Sequence, residues 1–450
     1  MINGSAMNKH STIIAVILTS LGMSLISARA VADDTSPTYS GDLLNRSTLT
    51  GDWGGARNDL AAKGVTIDLG LTQIEQSVVG GGKSSTWEYG GRGDLTLNAD
   101  TQKLGWWPGG FANLEVESNF SRSVNRNTGA LMAVNSSQIY PVTNNGNNVN
   151  VSALNFAQFL SHNFGLIVGK LATVTTTSGD MNEFAHGKGE YQFMNLAFNF
   201  NPLLAVTVPY STLGAGAIIL PTADPKQAIV TLSVLQTNGS AETSGFNDLD
   251  ANKLTFAGEG RVRTDFFGHT GHQLAGATYS NKTFTSIDQS FRVFIEGPTA
   301  IQQKDRSWNI YYNFDQYLYE PNKGSGQGVG IFGRLGMSDG NPNPMHYFYS
   351  LGFGGKGIIP GRPIDRFGLG YYYITVRQPS FTSPLATVSF LRNEYGFEAF
   401  YDVALTPWMQ LTPDIQVIRP AQRDTVTPIS PGRQGVNTAS VFGVRLQMQF

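Results

Sequence analysis

The sequence predicts an all-β fold: a transmembrane antiparallel β-barrel preceded by a short amino-terminal helix. Three observations point there. The first is the final stretch, residues 438–450, T-A-S-V-F-G-V-R-L-Q-M-Q-F. From Phe442 it alternates without a break. Phe442, Val444, Leu446, Met448 and Phe450 share one face, and Gly443, Arg445, Gln447 and Gln449 share the other. A period of two is a strand. A chain that stops on an aromatic residue of its apolar face suits a barrel that shows apolar side chains to lipid, polar ones to a wet lumen and aromatics to the interface. The second observation is composition. Only 14% of residues are charged against 40% hydrophobic, with 52 Gly, 27 Phe and 17 Tyr, a mixture that favours strands and turns over a helical bundle. The third is that the same two-sided alternation recurs along the chain, while no segment beyond the amino terminus is continuously apolar for the roughly 20 residues of a membrane helix. A secreted β-sandwich or β-helical protein is the alternative that this pattern leaves open.

Taken in order, the chain starts with a targeting segment. Lys9 and His10 precede an apolar run at residues 13–26, and Ala28, Ala30 and Ala32 follow. Basic, apolar and small-residue regions in that order read as a secretory signal over residues 1–32, with cleavage after Ala32. Residues 33–64 are a second unit on the periplasmic side. They are polar up to Leu49-Thr-Gly-Asp-Trp-Gly-Gly-Ala-Arg57, a turn that leads into a helix over about 56–63, stopped by Gly64. The barrel is expected over 65–450.

Val65, Ile67 and Leu69 open the first strand, and Gly80-Gly81-Gly82 reads as a loop. Leu95, Leu97 and Ala99 alternate with Thr96, Asn98 and Asp100. Trp106-Trp107-Pro108-Gly109-Gly110 is a turn whose aromatics suit an interface girdle. Ala112, Leu114 and Val116 alternate with Asn113, Glu115 and Glu117. Residues 121–150 and 173–188 are polar and patternless, as long loops are. Between them lie Leu154 and Phe156 and a short strand over 165–171. Further strands are expected over 213–221 and 229–235 and from Leu254, with Glu259, Arg261 and Arg263 as a polar set. The back third alternates most clearly, around Trp308–Asp315, Val329–Gly336, Phe367–Tyr373, Glu394–Tyr401 and Met409–Val417. Pro413 removes a ladder donor and is expected at a bulge or strand end.

Composition excludes several function classes. A net charge of −2 gives no footprint for nucleic acid. The absence of Cys removes disulfides, thiolate metal sites and cysteine nucleophiles. His269 and His272 flank Thr270-Gly271 and read as a surface turn, a poor metal box. Glu115 with Glu117, and Glu394 with Glu398, are same-face carboxylate pairs of the kind that hydrolyse glycosides. Their many polar neighbours make a secreted sugar hydrolase or sugar-binding module the lesser reading.

Several separated motifs resemble the carbohydrate-selective outer-membrane porins. They are Leu49-Thr-Gly-Asp-Trp-Gly-Gly-Ala-Arg57, Glu190-Tyr-Gln-Phe-Met-Asn-Leu-Ala-Phe-Asn-Phe-Asn-Pro202, Tyr311-Tyr-Asn-Phe-Asp-Gln-Tyr-Leu-Tyr-Glu-Pro321, Gly330-Ile-Phe-Gly-Arg-Leu-Gly-Met-Ser-Asp-Gly-Asn-Pro-Asn-Pro344, Gly357-Ile-Ile-Pro-Gly-Arg362 and Asp365-Arg-Phe-Gly-Leu-Gly-Tyr-Tyr-Tyr373. Together they cover the chain from about Leu49 to Phe450. The resemblance implies 16 strands, short periplasmic turns, longer outer loops of which some fold inward, and passive diffusion of glucose-like sugars across a bacterial outer membrane without a cofactor. It also implies that Phe450 is read by the barrel-assembly machinery, and that the surroundings are outer-membrane lipid and lipopolysaccharide. Monomer and trimer both remain open, as does a general or ion-preferring porin.

A sugar-selective pore needs donors and acceptors on its wall. Arg offers five fixed donors, and carboxylates accept from hydroxyls. The candidate sugar contacts are therefore Arg334, Glu115, Glu117, Asp315, Glu394 and Glu398, with Arg92 and Arg261 behind them. Trp53 and Arg57, together with Asp52, are expected to fix the amino-terminal helix against the barrel. Arg362 and Arg366 are expected to brace a turn through Asp365 or Asp339. No metal site is expected.

Overall fold

The computed structural model describes residues 39–139, 149–174, 182–290, 292–378, 381–382, 391–427 and 430–450. The expected signal segment, 1–32, lies outside the described residues, as do the middle parts of the two long loops. The described strands are β1 (Val65–Gly82), β2 (Trp87–Asp100), β3 (Gly110–Ser121), β4 (Val149–Phe159), β5 (Phe164–Ala172), β6 (Ser211–Ile219), β7 (Ala228–Gln236), β8 (Leu254–Thr264), β9 (Gly271–Thr285), β10 (Gln289–Ser290), β11 (Gln303–Tyr319), β12 (Gly328–Ser338), β13 (Met345–Lys356), β14 (Arg366–Val376), β15 (Phe381–Thr382), β16 (Glu394–Thr406), β17 (Met409–Arg419), β18 (Asp424–Thr427), β19 (Ser430–Gly435) and β20 (Asn437–Gln449). β10 pairs with β15 and β18 with β19, outside the wall. The other 16 close in chain order into one barrel, with β20 returning to β1. Both seams at β20 are antiparallel ladders, to β1 and to β17.

Alternation decides which face each residue takes. On β16, Tyr395, Phe397, Ala399 and Tyr401 point out, while Glu394, Gly396, Glu398, Phe400 and Asp402 are buried and point in. On β20, Val441, Gly443, Arg445 and Gln447 are buried inside, as the period of two requires. The outer surface is apolar, with Leu351, Leu369 and Ile415 each more than half exposed. Tyr373 and Tyr395 stack near the long-loop end, and Trp106 and Trp107 stack in the 101–109 turn at the other. These are aromatic girdles flanking an apolar belt. The turns at the end that holds both termini are short (160–163, 265–270 and 407–408 among them), and the long connections (122–148, 173–210, 237–253, 286–302, 377–393 and 420–436) lie at the opposite end.

Three local expectations change. Gly80–Gly82 is not a loop: β1 runs through it, with register shifts against β20 at Val78/Gly80 and Gly80/Gly82. Pro413 is neither at a bulge nor at a strand end. It pairs in register with Val444, and toward β16 the ladder skips from Phe400↔Asp414 to Val403↔Leu411 without a shift. The missing donor is absorbed by leaving that rung open. His272 is not in a surface turn. It lies in β9, is 7% exposed, and its Nδ1 sits 2.9 Å from Asp315 Oδ1.

The helix, Ala56–Ala62, ends at Lys63 and Gly64, the latter at φ 88°. The turn before it needs left-handed backbone at Trp53, Gly54 and Gly55, and Asp52 Oδ1 accepts the Gly54 N–H at 3.1 Å. This turn aims Arg57 at the seam. Arg57 is 2% exposed and stacks on Tyr39 at 4.0 Å. It donates to the backbone oxygens of Phe450 (2.8 Å) and Ile67 (2.5 Å). The Leu49 N–H adds a bond to Gln449 O at 2.7 Å. The expected bracing of the turn also holds in part: Arg362 Nε meets Asp365 Oδ2 at 2.8 Å, but Arg366 pairs with Asp402, at 3.7 Å.

Arg57→Ala removes two charge-assisted bonds at the point where the first and last strands meet. A loss on the order of 3 kcal/mol is expected, read as earlier unfolding of the heat-modifiable gel band in a urea titration, with Arg57→Lys intermediate.

Candidate functional site in the barrel lumen

The connection between β5 and β6, described from residue 182, folds into the bore. It carries Phe184, Phe193, Phe198, Phe200, Leu203 and Leu204, and all are buried. Phe193 packs on Phe198, Phe332 and Phe400 at centroid distances of 4.6, 5.4 and 4.8 Å, and Phe198 reaches Tyr372 at 5.8 Å. Phe332, Tyr372 and Phe400 are inward-facing wall residues of β12, β14 and β16. Gly368 and Gly370 on β14 make room, because a Cβ there would lie 2.6 Å from the Phe193 ring and 2.5 Å from the Phe198 ring.

An irregular loop inside a barrel carries backbone groups that must find partners. The wall supplies them. Arg334 donates to Phe198 O (3.0 Å) and Ala185 O (2.5 Å). Glu398 accepts from the N–H groups of Met194 (2.5 Å) and Asn195 (2.9 Å). Arg445 donates to Gly189 O (2.7 Å) and Gln192 O (2.8 Å). The 122–139 loop is held the same way. Glu394 accepts from Leu131 N (2.7 Å) and Met132 N (2.9 Å), and Gln416 donates to Val134 O (2.8 Å).

Across the bore, Lys188 of the inner loop ion-pairs with both Glu115 and Glu117 on β3. Arg92 on β2 bonds Asp94 (Nε to Oδ1, 2.9 Å) and Glu117, and lies 3.3 Å from Glu190. Tyr210 donates to Glu117 at 2.7 Å. The inner loop therefore bridges the β2–β3 wall and the β12–β20 wall. Asp94, Glu115 and Glu117 bring carboxylate oxygens within 4.8 Å of one another, but the Lys188 ammonium and the Arg92 guanidinium already stand among them as counter-charges.

Among the described residues, the wall on the remaining side is less covered. Inward-facing Gly216, Thr231, Ser233, Ala257 and Arg261 on β6–β8 are only half-buried, and Tyr311 donates to Glu259 at 2.7 Å on the same wall.

The candidates chosen from sequence thus fall into three places. Arg334, Glu394 and Glu398 are each 0% exposed, behind the loops they bond. Asp315 also lies behind a loop, accepting from Glu183 N at 3.3 Å while facing His272. Arg92, Glu115 and Glu117 are brought together in one buried network. Arg261 alone of the eight keeps solvent exposure, with a bond to Pro225 O at 3.3 Å. Sequence reasoning missed Lys188, Glu190, Tyr210 and Arg445. Arg445 had a visible signal, a lone cation on the polar face of the closing strand. Lys188 lay at the end of a patternless stretch, marked only by the flanking Gly187 and Gly189, and Glu190 opens the Glu190–Pro202 motif without a pattern that sets it apart.

A closed 16-stranded barrel with an apolar belt and a loop pinned across its bore is a porin of the bacterial outer membrane. The family model "Carbohydrate-selective porin, OprB family" matches residues 84–450, and the chain belongs to that family. Among solved structures it is similar to the high-pH structure of Pseudomonas putida OprB, with 20% identity, 91% of this chain and 100% of that chain covered, and a TM-score of 0.74. The low-pH structure of the same protein matches at 17% identity, 90% and 99% coverage and a TM-score of 0.55. At such identities the likeness speaks for the fold. Comparison with curated proteins gave no significant match. The protein is a non-enzymatic outer-membrane channel for the diffusion of small sugars.

Two outcomes are expected. Arg334→Ala strands two buried carbonyls, at about 1–3 kcal/mol each, and should raise single-channel conductance by loosening the inner loop. Glu190 is pushed up from 4.5 to about 7, first by burial and then by the Asp94 charge. Its folded value lies above its unfolded one, so its contribution to loop attachment is present below about 4.5 and is lost as pH rises through about 7. The groups facing it are Arg92, Asp94, Glu117 and Lys188. Cation over anion preference in planar bilayers should therefore rise between about pH 5 and pH 8, and Glu190→Gln should flatten that rise.

Proposed function

We propose that the channel favours neutral monosaccharides of glucose size, and that they pass along the half-buried part of the β6–β8 wall. The observation that carries this is the inner loop itself. It is bonded to β2–β3 on one side and to β12, β16 and β20 on the other, and its Thr207 also reaches β8, β9 and β11; among the described residues, Thr231, Ser233 and Arg261 are inward-facing positions that it leaves half-buried. Thr231, Ser233 and Arg261 offer hydroxyls and a guanidinium, groups that hold a polyhydroxylated ring weakly, with the buried Tyr311–Glu259 pair behind them. Weak holding is required, since a sugar that binds tightly does not leave.

The Arg92–Glu117–Lys188 network acts at a distance. It places fixed charges of both signs beside the passage, which penalises small ions relative to neutral solutes. Glu115 and Asp94 belong to the same field. In this reading Arg334, Glu394, Glu398 and Asp315 position the loops and do not touch the sugar. Residues 1–32 act as the export signal, and Phe450 is the residue the assembly machinery recognises before Arg57 and Leu49 cover the carboxy-terminal end.

Liposome swelling tests the proposal. Glucose should enter faster than a non-sugar of equal size and faster than a disaccharide, and Arg261→Ala should slow glucose severalfold while leaving salt conductance nearly unchanged. Entry ranked by size alone would sink the selectivity and leave a general porin.

A further inference from the structure

Three arginines meet where β16 and β17 leave the membrane at the long-loop end. On β17 the outward residues are Pro413, Ile415 and Val417, all exposed, and then Arg419. Arg419 pairs across the ladder with Tyr395 of β16, and its guanidinium lies 5.6 Å from the centre of that ring. Tyr395 stacks on Tyr373 at 6.4 Å in the aromatic girdle, so the charge stands at the upper edge of the apolar belt. The chain on either side brings two more cations. Arg392 lies just before β16. Its N–H meets Ala421 O at 2.9 Å, and its side chain donates to Pro420 O (2.9 Å) and Val436 O (2.5 Å). Leu391 bridges to Gln422. Arg423 comes next and is exposed, with its carbonyl accepting from Val436 N at 2.8 Å.

These charges lack fixed counter-charges. Among the described residues, none of the three ion-pairs with a carboxylate. Glu394 is close in sequence but is 0% exposed and faces the bore. Burial, then the charges of Arg419 and Arg423, hold the Arg392 guanidinium below its ordinary value, and Asp424 and Tyr395 act in the opposite sense. Directly below, the wall is apolar. Ile415 and Val417 are exposed on β17, and Phe397, the ladder partner of Val417, is exposed on β16.

We propose that Arg392, Arg419 and Arg423 hold a phosphate of one lipopolysaccharide molecule against the rim of β16–β17, with its acyl chains lying along Phe397, Ile415 and Val417. Guanidiniums gathered without carboxylates repel one another, and an anion among them removes that cost. Each offers paired donors that match a phosphate. Arg392 spends two of its nitrogens on carbonyls and so stands as a fixed charge. The Arg419 and Arg423 side chains make no hydrogen bond among the described residues and are left to donate. A cationic cluster above an apolar strip suits an anionic lipid better than a free anion, which gains nothing from the strip. The long-loop end is the outer leaflet. A phosphate monoester there carries a charge of about −1.5 to −2 and matches three cations better than the singly charged diester of a phospholipid.

The lipid kept by the folded protein is the test. Wild type extracted from outer membranes in mild detergent should carry lipopolysaccharide in native mass spectrometry. Arg419→Gln combined with Arg423→Gln should lower the bound amount severalfold, with heat-modifiable gel mobility and glucose swelling unchanged. Lys304→Gln combined with Arg306→Gln removes the same charge from exposed positions of β11 and should leave the lipid in place. Delipidated wild type should rebind diphosphoryl lipid A and should bind its dephosphorylated form and phosphatidylglycerol severalfold less. Inorganic phosphate at equal concentration should not displace the lipid. Equal lipid on the two double variants overturns the proposal, as does wild type that neither carries nor rebinds any. Equal binding of the dephosphorylated lipid would show that the acyl chains alone are held, and equal binding of phosphatidylglycerol a general anionic surface. Displacement by inorganic phosphate would show a simple anion site. Each of these three results also overturns it. Should the Arg419 and Arg423 double variant fail to insert, the rebinding series on wild type decides alone.

Discussion

Hydrocarbon accepts no hydrogen bond, and this one constraint organises the molecule. Every N–H and C=O that crosses the membrane must be paired within the protein, and a sheet achieves this only by closing on itself. Closure makes the seam between β1 and β20 as important as any interior ladder, although its strands are separated by nearly the whole chain. The contacts around that seam follow from it. Gln449 and Phe450 lie at the end of the last strand, where main-chain groups would otherwise stay open. Leu49 and Arg57 reach them from the other terminus. The Asp-Trp-Gly-Gly turn exists to bring Arg57 there, which is why it tolerates consecutive residues in left-handed backbone.

The same constraint returns inside the bore. Loops that narrow a channel carry main-chain groups into a space with little free water, and those groups need partners as much as strand edges do. Here the partners are arginine and glutamate side chains of the wall. Arginines meet carbonyls and glutamates meet N–H groups, two at a time. Each such side chain satisfies two main-chain groups at once, so a few wall residues fix a long loop. Aromatic packing over Gly368 and Gly370 fills the space between those pins.

Much of this was legible in the sequence, and the boundary is a physical one. Strand faces follow from a local period of two, so the inward positions of Arg334, Glu394 and Glu398 could be read correctly. What stands in front of an inward residue is set by chain distant in sequence, and alternation carries no record of it. Residues that looked like open lumen wall are therefore covered, while the less conspicuous Arg261 keeps solvent. His272 and Pro413 failed for a related reason. The Thr-Gly beside His272 looked like a turn, and the strand begins right at that glycine. Pro413 looked like a strand breaker, but a single open rung in a long ladder suffices. The Glu190–Pro202 motif was recognisable as a string, and only the folded chain gives it a role, as the segment pinned across the bore.

Selectivity in such a channel has to come from a compromise. The charged network at Arg92, Glu117 and Lys188 is nearly sealed from solvent, so its charges are fixed and mutually compensated. A sugar cannot displace the partners these groups already have without stranding a buried charge, a cost of several kcal/mol. A group that meets a passing solute without losing a buried partner needs spare exposure, as Thr231, Ser233 and Arg261 on β7 and β8 have. That division suits diffusion. The strong interactions set the shape and field of the passage and do not change as a molecule passes. The weak ones face the solute, and their weakness keeps the exit barrier low.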